Sequence, residues 1–276
     1  NNNIAVGYKA LEANTTGFSN NAVGVNCLDD NTSGYQNNAF GHGALGSNTT
    51  ANGNNAFGNQ ALENNTTGTR ASAFGHDCLK NHTTGDYNTA MGHSALDACT
   101  TGIQNTAIGA NALTNITTGQ NNTAVGKSAL VDAEGGSNGN TAVGEAAGGT
   151  VTTGTRNCFI GKATIGPTSA DRSIIIGADL GNRGNTSNMV VIGTGSVIAS
   201  FSGSATGWTF SSDGRDKTDI VDLPLGLDFV NKLRPRKFRW NYRDKERFPK
   251  ESAENPDMLI RSGFIAQEVQ ELLKQE

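Results

Sequence analysis

The stretch TFSSDGRDKTDI, residues 209–220, sets Ser212 five residues ahead of Lys217. A serine hydroxyl is a poor nucleophile until a base takes its proton, and lysine serves as that base when desolvation or a neighbouring cation draws its pKa towards neutrality. So activated, Ser212 could attack the carbonyl that precedes it, at the Ser211–Ser212 bond. An exposed Ser and Lys at this spacing carry little meaning alone, so the surrounding pattern has to decide.

Elsewhere the reactive residue types are sparse. His42, His76 and His93 occupy one repeat column, with His76 and His93 a single repeat apart. The same column holds Tyr8, Val25, Asn59, Ala110 and Lys127, as a variable surface position would, so no metal site is expected there. Cys27 and Cys78 stand in a column otherwise held by alanine. Cys99 replaces an Asn and Cys158 a Thr of the repeat, so all four cysteines read as small substitutes rather than disulfide partners or ligands. The recurring NTT triplets match an N-glycosylation acceptor, but their regular placement is explained by turn chemistry. No cofactor is expected.

The elements around these residues are set by a repeat. Glycines of the motifs AVG, AFG, AMG and AIG fall at 7, 24, 41, 58, 75, 92, 109 and 126, every step being 17; Gly144, Gly161, Gly177 and Gly193 follow at steps of 18, 17, 16 and 16. Such self-similarity marks a repeat architecture. Before each of these marker glycines stands a large apolar residue, from Val6 and Val23 through Phe40 and Phe57 to Val143; four residues after it stands leucine, from Leu11 to Leu130. The NTTG segment combines turn-forming Asn, β-prone Thr and a Gly able to take positive φ. Each unit is therefore expected to form one coil of a parallel β-solenoid, with two short strands and two turns. Coils stack about 4.8 Å apart. Two large apolar side chains per coil scarcely offset the entropy of ordering 17 residues, so the missing burial is expected to come from other chains.

These repeats resemble the head domains of trimeric autotransporter adhesins, whose short S-V-A-I-G-x-x-A coils form parallel β-rolls packed as trimers. The resemblance covers about residues 3–165 and implies a mainly β, trimeric β-roll. From 166 to 211 the period fades and apolar triplets such as Ile174-Ile175-Ile176 alternate with Gly, Asn and Ser, which suggests a β-rich neck.

Composition places a boundary just before Ser212. Residues 1–165 hold 6 Lys/Arg and 10 Asp/Glu, whereas residues 212–276 hold 13 of each. The whole chain of 276 residues carries 36 glycines and a formal charge of -4, which gives no reason to expect a nucleic-acid partner or an anionic membrane. No apolar run approaches the roughly 20 residues of a membrane span, and the first residues lack the regions of a signal peptide. The chain opens inside a repeat, and no membrane insertion is expected.

Beyond Ser212, Leu223, Leu227, Val230 and Leu233 recur at helical spacing up to Pro235. Phe238, Trp240 and Tyr242 then alternate with basic or polar residues as in a half-buried strand, and Ile265, Val269, Leu272 and Leu273 share one helical face. The segments SSDGRDKTDI, GLDFVNKLRPRKFRW and GFIAQEVQELL, in this order, resemble the endosialidase-type C-terminal intramolecular chaperones found at the ends of phage tail spikes and fibres. The resemblance covers 212–276 and implies a small α+β unit that trimerises, assists assembly of the preceding fibre, and is then severed at its own first serine by a Ser/Lys dyad. Carried over by motif, Ser212 is the nucleophile, Lys217 its activator, and the cut lies between Ser211 and Ser212.

The expected protein is thus a homotrimeric structural segment of a viral tail fibre or spike, made in the host cytoplasm and carried on the virion, facing a host cell-surface receptor that a glycan could supply. Two alternatives stand beside it: a bacterial trimeric surface adhesin, and the shaft of a glycan-degrading tail spike. The second is disfavoured because the regular coils show no carboxylate pair in an obvious catalytic setting.

Overall fold

The computed structural model describes residues 2–166, 168–181, 187–195, 197–202, 209–210, 232–238, 261–263 and 268. The chain divides into two compact units, Asn1–Ser212 and Asp213–Glu276. The first is a β-solenoid. Strands β1 to β9 are Ile4–Val6, Asn21–Val23, Asn38–Phe40, Asn55–Phe57, Ser72–Phe74, Thr89–Met91, Thr106–Ile108, Thr123–Val125 and Thr141–Val143, followed by β10 (Cys158–Ile160), β11 (Ile174–Ala178) and β12 (Met189–Thr194). Each pairs in parallel with the next, Ala22 opposite Ala39 and Ala39 opposite Ala56, so the sequence period is the coil period. The sheet runs on through β11 and β12 in parallel register, then turns back through antiparallel β13 (Val197–Ser202) and β14 (Thr209–Phe210).

Each of the regular coils contains one three-residue strand, not the two that the repeat suggested. The reason lies in the stretch from the marker glycine to the leucine, where left-handed residues interrupt any extended path. In the second coil Asn26 (φ 51°) and Leu28 (φ 53°) are both left-handed, and the same two columns repeat this in later coils, as at Gln60 and Leu62. A left-handed residue other than glycine costs roughly 1–2 kcal/mol. Ladder bonds between coils offset it: the Leu28 N–H donates to the Ala44 carbonyl at 3.1 Å, and Leu45 to Ala61 at 3.0 Å. The stretch is therefore not a strand, yet it keeps the 17-residue register.

Marker glycines are required twice over. Gly41 has φ +143°, and a Cβ placed there would collide with the carbonyl of Gly58 in the next coil. The glycines of NTTG differ from expectation: Gly34 and Gly68 do not take positive φ, and their need is space, since a Cβ would run into the neighbouring coil's carbonyl and a buried Asn or His side chain.

Burial also departs from the sequence-based reading. A single chain already encloses a core: Leu28, Leu45, Leu62, Leu79, Leu96, Leu113 and Leu130 are fully buried, as are the mid-strand alanines from Ala22 to Ala142. The leucine column points inward and the apolar column before the marker glycine points out. Two asparagine columns complete the interior. In one, Asn20 Nδ2 donates to the Gly34 carbonyl at 2.8 Å while its Oδ1 accepts the Asn37 N–H at 3.0 Å, and Asn37 repeats this one coil on. These amides answer backbone groups that would otherwise be buried unpaired.

In the second unit, β15 (Arg236–Phe238) pairs antiparallel with β16 (Arg261–Gly263). This places part of the expected aromatic strand immediately after Pro235. Trp240, Tyr242 and most of the two expected helices lie outside the described residues.

Candidate processing site and the chemistry of the shaft

Ser211, Ser212 and Lys217 lie outside the described residues. What the structure gives is the approach to them. Phe210 pairs with Ala199 and Thr209 with Ser200 in the last strand of the solenoid sheet. The expected scissile bond follows one residue after that strand.

Along the shaft the other reactive residue types can be judged directly. All four cysteines are free, with Cys27, Cys78 and Cys99 buried and Cys158 half-buried. Burial pushes the Cys27 and Cys78 thiols up to about 12 and Cys99 to about 11, so none of these three offers a thiolate near neutral pH. Cys27 Sγ sits 3.1 Å from the Ala39 carbonyl, as a small packed side chain would.

The histidine column holds more than the sequence suggested. The rings of His76 and His93 stack with centroids 5.5 Å apart, and His76 Nδ1 lies 2.7 Å from the Asp77 carboxylate. One ligand atom from each of His76, Asp77 and His93 falls within 4.8 Å of the others, a set able to hold a metal ion. Asp77 entered no sequence argument because it sits in the adjoining column; its left-handed φ of 54° turns it towards the histidines' wall. A cation is already at hand, however. Lys80 Nζ stands 3.4 Å from Asp77 Oδ1 and 3.9 Å from Glu63, inside a surface network that Gln60 extends. Asp97 belongs to the same patch, its carboxyl held above the usual range by burial and by the charge of Asp77. His42 is not part of this cluster.

His82 is a different kind of histidine, and the sequence reading passed over it. It replaces the Asn of NTTG and is fully buried. Its Nδ1 is 2.9 Å from Asn65 Oδ1 and its Nε2 is 3.1 Å from Asn88 Nδ2, so the neutral ring donates to the first and accepts from the second. Burial pulls its pKa down to about 4, against the opposing charge of Asp86. The recurrence of Asn at 14, 31, 48 and 65 was the available signal that position 82 faces other amides.

Beyond the last solenoid strand the chain changes character. Residues 212–276 match the family model of the chaperone of endosialidase. The match opens on Ser212, the residue at which the charge density rises, and takes in Lys217. No curated protein and no solved structure matches the chain. A chaperone of this family is typical of phage tail fibres and spikes that cleave themselves after trimer assembly. Its pairing with a β-solenoid agrees with that setting. Among the described residues no helix is long and apolar enough to cross a membrane.

Proposed function

We propose that the chain is the receptor-facing shaft of a phage tail fibre or spike joined to its own assembly device. In this reading residues 212–276 form a small α+β unit that gathers three chains, and the solenoid then forms as a parallel homotrimer on the virion. The observation that carries it is the family match beginning at Ser212, directly after a solenoid of near-identical coils. Such coils have a register problem between chains, because a stagger of one coil loses little beyond the end contacts. A device that aligns the chain ends removes that degeneracy.

The same unit then releases itself. Lys217 takes the proton of Ser212 Oγ, which attacks the Ser211 carbonyl carbon. The Ser211–Ser212 amide breaks as its nitrogen receives that proton, and water hydrolyses the resulting ester. Release leaves a fibre whose unfolding is obstructed kinetically. Host contact is assigned to the exposed turns of the shaft, with a cell-surface receptor, glycan or protein, as the partner. The shaft itself is assigned no cofactor, metal or nucleic acid.

Intact-mass analysis of the full-length gene product tests this. The wild type is expected to show a single cut between Ser211 and Ser212, arising only in trimers. Ser212→Ala and Lys217→Ala are expected to remain whole yet trimeric, and Ser211→Ala to be cut as before. Cleavage that persists in Ser212→Ala, or maps to another bond, removes the assignment.

A further inference from the structure

A three-residue strand sends its first and third side chains outward and its second inward. The third position is Val, Phe, Met or Ile in every strand from β1 to β10, and the register continues it as Ile176 in β11 and Ile192 in β12. This column is open on the single chain, with Val6 57%, Met91 49% and Ile192 45% exposed. Its middle is an aromatic stack, Phe40 on Phe57 at 4.8 Å and Phe57 on Phe74 at 4.9 Å. The first position is Asn, Ser or Thr from β2 to β9, but becomes Cys158, Ile174 and Val190 in β10 to β12. The apolar face therefore doubles in width over β10 to β12. Neither position carries a charge in any of these twelve strands, whereas the column after the marker glycine includes Lys127, Glu145 and Lys162.

We infer that this outward strand face is the seam along which copies of this chain pack against one another, in parallel and level. The inference rests on the trimeric reading above and names the surface that serves it. A copy of the same chain is the occupant the face fits. Only a partner with the same coil spacing matches a ladder of apolar side chains over twelve coils, and an uncharged seam leaves no ion to desolvate. The half-open side chains, at roughly 60–80 Å² each, sum to about 800 Å² per chain, one side of a standard stable interface. The seam also has a bulk profile. Small Val6 and Val23 precede the Phe40, Phe57 and Phe74 block, and Met91 and Ile108 follow it. A stagger by one coil sets phenylalanine against valine at one edge of the block.

The test uses the full chain with Cys158→Ser as background, because Cys158 lies on the same face. Met91→Cys is placed on the seam and Thr84→Cys on an exposed turn away from it. Both are oxidised mildly, and covalent dimers are read on non-reducing gels beside mass photometry. Trimers that cross-link through Met91→Cys and not through Thr84→Cys are expected. Trimers that link through Thr84→Cys, or through neither, overturn the seam and leave trimerisation standing; a monomeric parent protein overturns trimerisation itself. In parallel, Phe57→Glu is expected to lower the trimer fraction at least tenfold while Thr67→Glu leaves it unchanged. Because Phe57 is partly open on the single chain, loss of trimer with the β circular dichroism signal retained separates a broken seam from a failed fold. An unchanged trimer fraction in Phe57→Glu counts against the seam.

Discussion

The first coils and the later coils fill the same interior column with opposite chemistry. Asn14, Asn31, Asn48 and Asn65 form an amide ladder, Asn31 Nδ2 donating to Asn14 Oδ1 and Asn48 Nδ2 to Asn31 Oδ1, each at 2.9 Å. Beyond His82 the column reads Cys99, Ile116, Ala133 and Val151, all buried. The backbone barely notices, because the second asparagine column serves the shared acceptor in both regions. The Gly34 carbonyl takes Asn20 Nδ2 at 2.8 Å and Asn31 at 3.2 Å; the Gly119 carbonyl, beside Ile116, takes Asn105 at 2.8 Å. One column answers the backbone and persists; the other answers mainly itself and can be exchanged as a block. His82 closes the block, giving Asn65 its last donor. It also covers a gap, since Ala71 stands where Asn88 would find an amide oxygen, and Asn88 Nδ2 turns to His82 Nε2 instead.

The sharpest way to break this comparison is to interrupt a block from within. Asn48→Leu takes from Asn31 Oδ1 its Asn48 donor and leaves Asn65 Nδ2 with the Gly68 carbonyl but an apolar side chain in place of Asn48 Oδ1, and each buried hydrogen-bonding valence left without a partner costs about 1–3 kcal/mol. A loss of about 4 kcal/mol is expected in denaturant unfolding, whereas Ile116→Val, inside the apolar block, is expected to cost about 1 kcal/mol. Equal losses would show that the columns are not separate systems.

Within this column, acid acts on the junction. The pKa of His82 falls from 6.5 to about 4 on folding, so its contribution is fully present above pH 6.5 and is lost as pH falls towards 4. The expected loss is about 3 kcal/mol per chain. The double variant Ala71→Asn, His82→Asn continues both ladders, and its unfolding midpoint is expected to lose this pH dependence. A midpoint that falls as steeply in the double variant as in the wild type would place the acid sensitivity elsewhere.

The smallest effect is expected outside, at the exposed histidines. With Lys80 beside Asp77, protein stripped by a chelator and dialysed against micromolar zinc is expected to retain less than one equivalent by elemental analysis. Stoichiometric zinc that disappears in His76→Ala, His93→Ala would reverse the assignment of that wall.

Much of the architecture could be read from spacing. The marker glycines give the coil, Leu11 to Leu130 mark an interior column, and the change in charge density at Ser212 coincides with the start of the family match. What spacing could not distinguish was the direction in which a column faces. Val23 and Leu28 are equally apolar, yet one is half-open and the other sealed, because left-handed Asn26 and Leu28 bend the coil between them. Asparagines that read as turn formers are interior ladders, a role that exists only once coils are stacked. Sporadic glycines held the missing signal: Gly43, Gly53 and Gly148 replace non-glycine residues at the left-handed positions. The proposed Ser212/Lys217 dyad rests on its flanking motifs, since a nucleophile and a base five residues apart acquire meaning only from the structure that joins them.

The stacking of coils also decides how the shaft answers tension. Inter-coil hydrogen bonds such as Asn38 N–H to the Asn54 carbonyl and Leu45 N–H to the Ala61 carbonyl run along the stack, so a pull on the chain ends loads the terminal coil first. A coil that peels gives up about 4.8 Å of stack and releases 17 residues, roughly 55–60 Å of extended chain. Under force the shaft would thus lengthen in discrete steps about tenfold larger than the height each step surrenders, dissipating work coil by coil while the remainder of the stack keeps its stiffness.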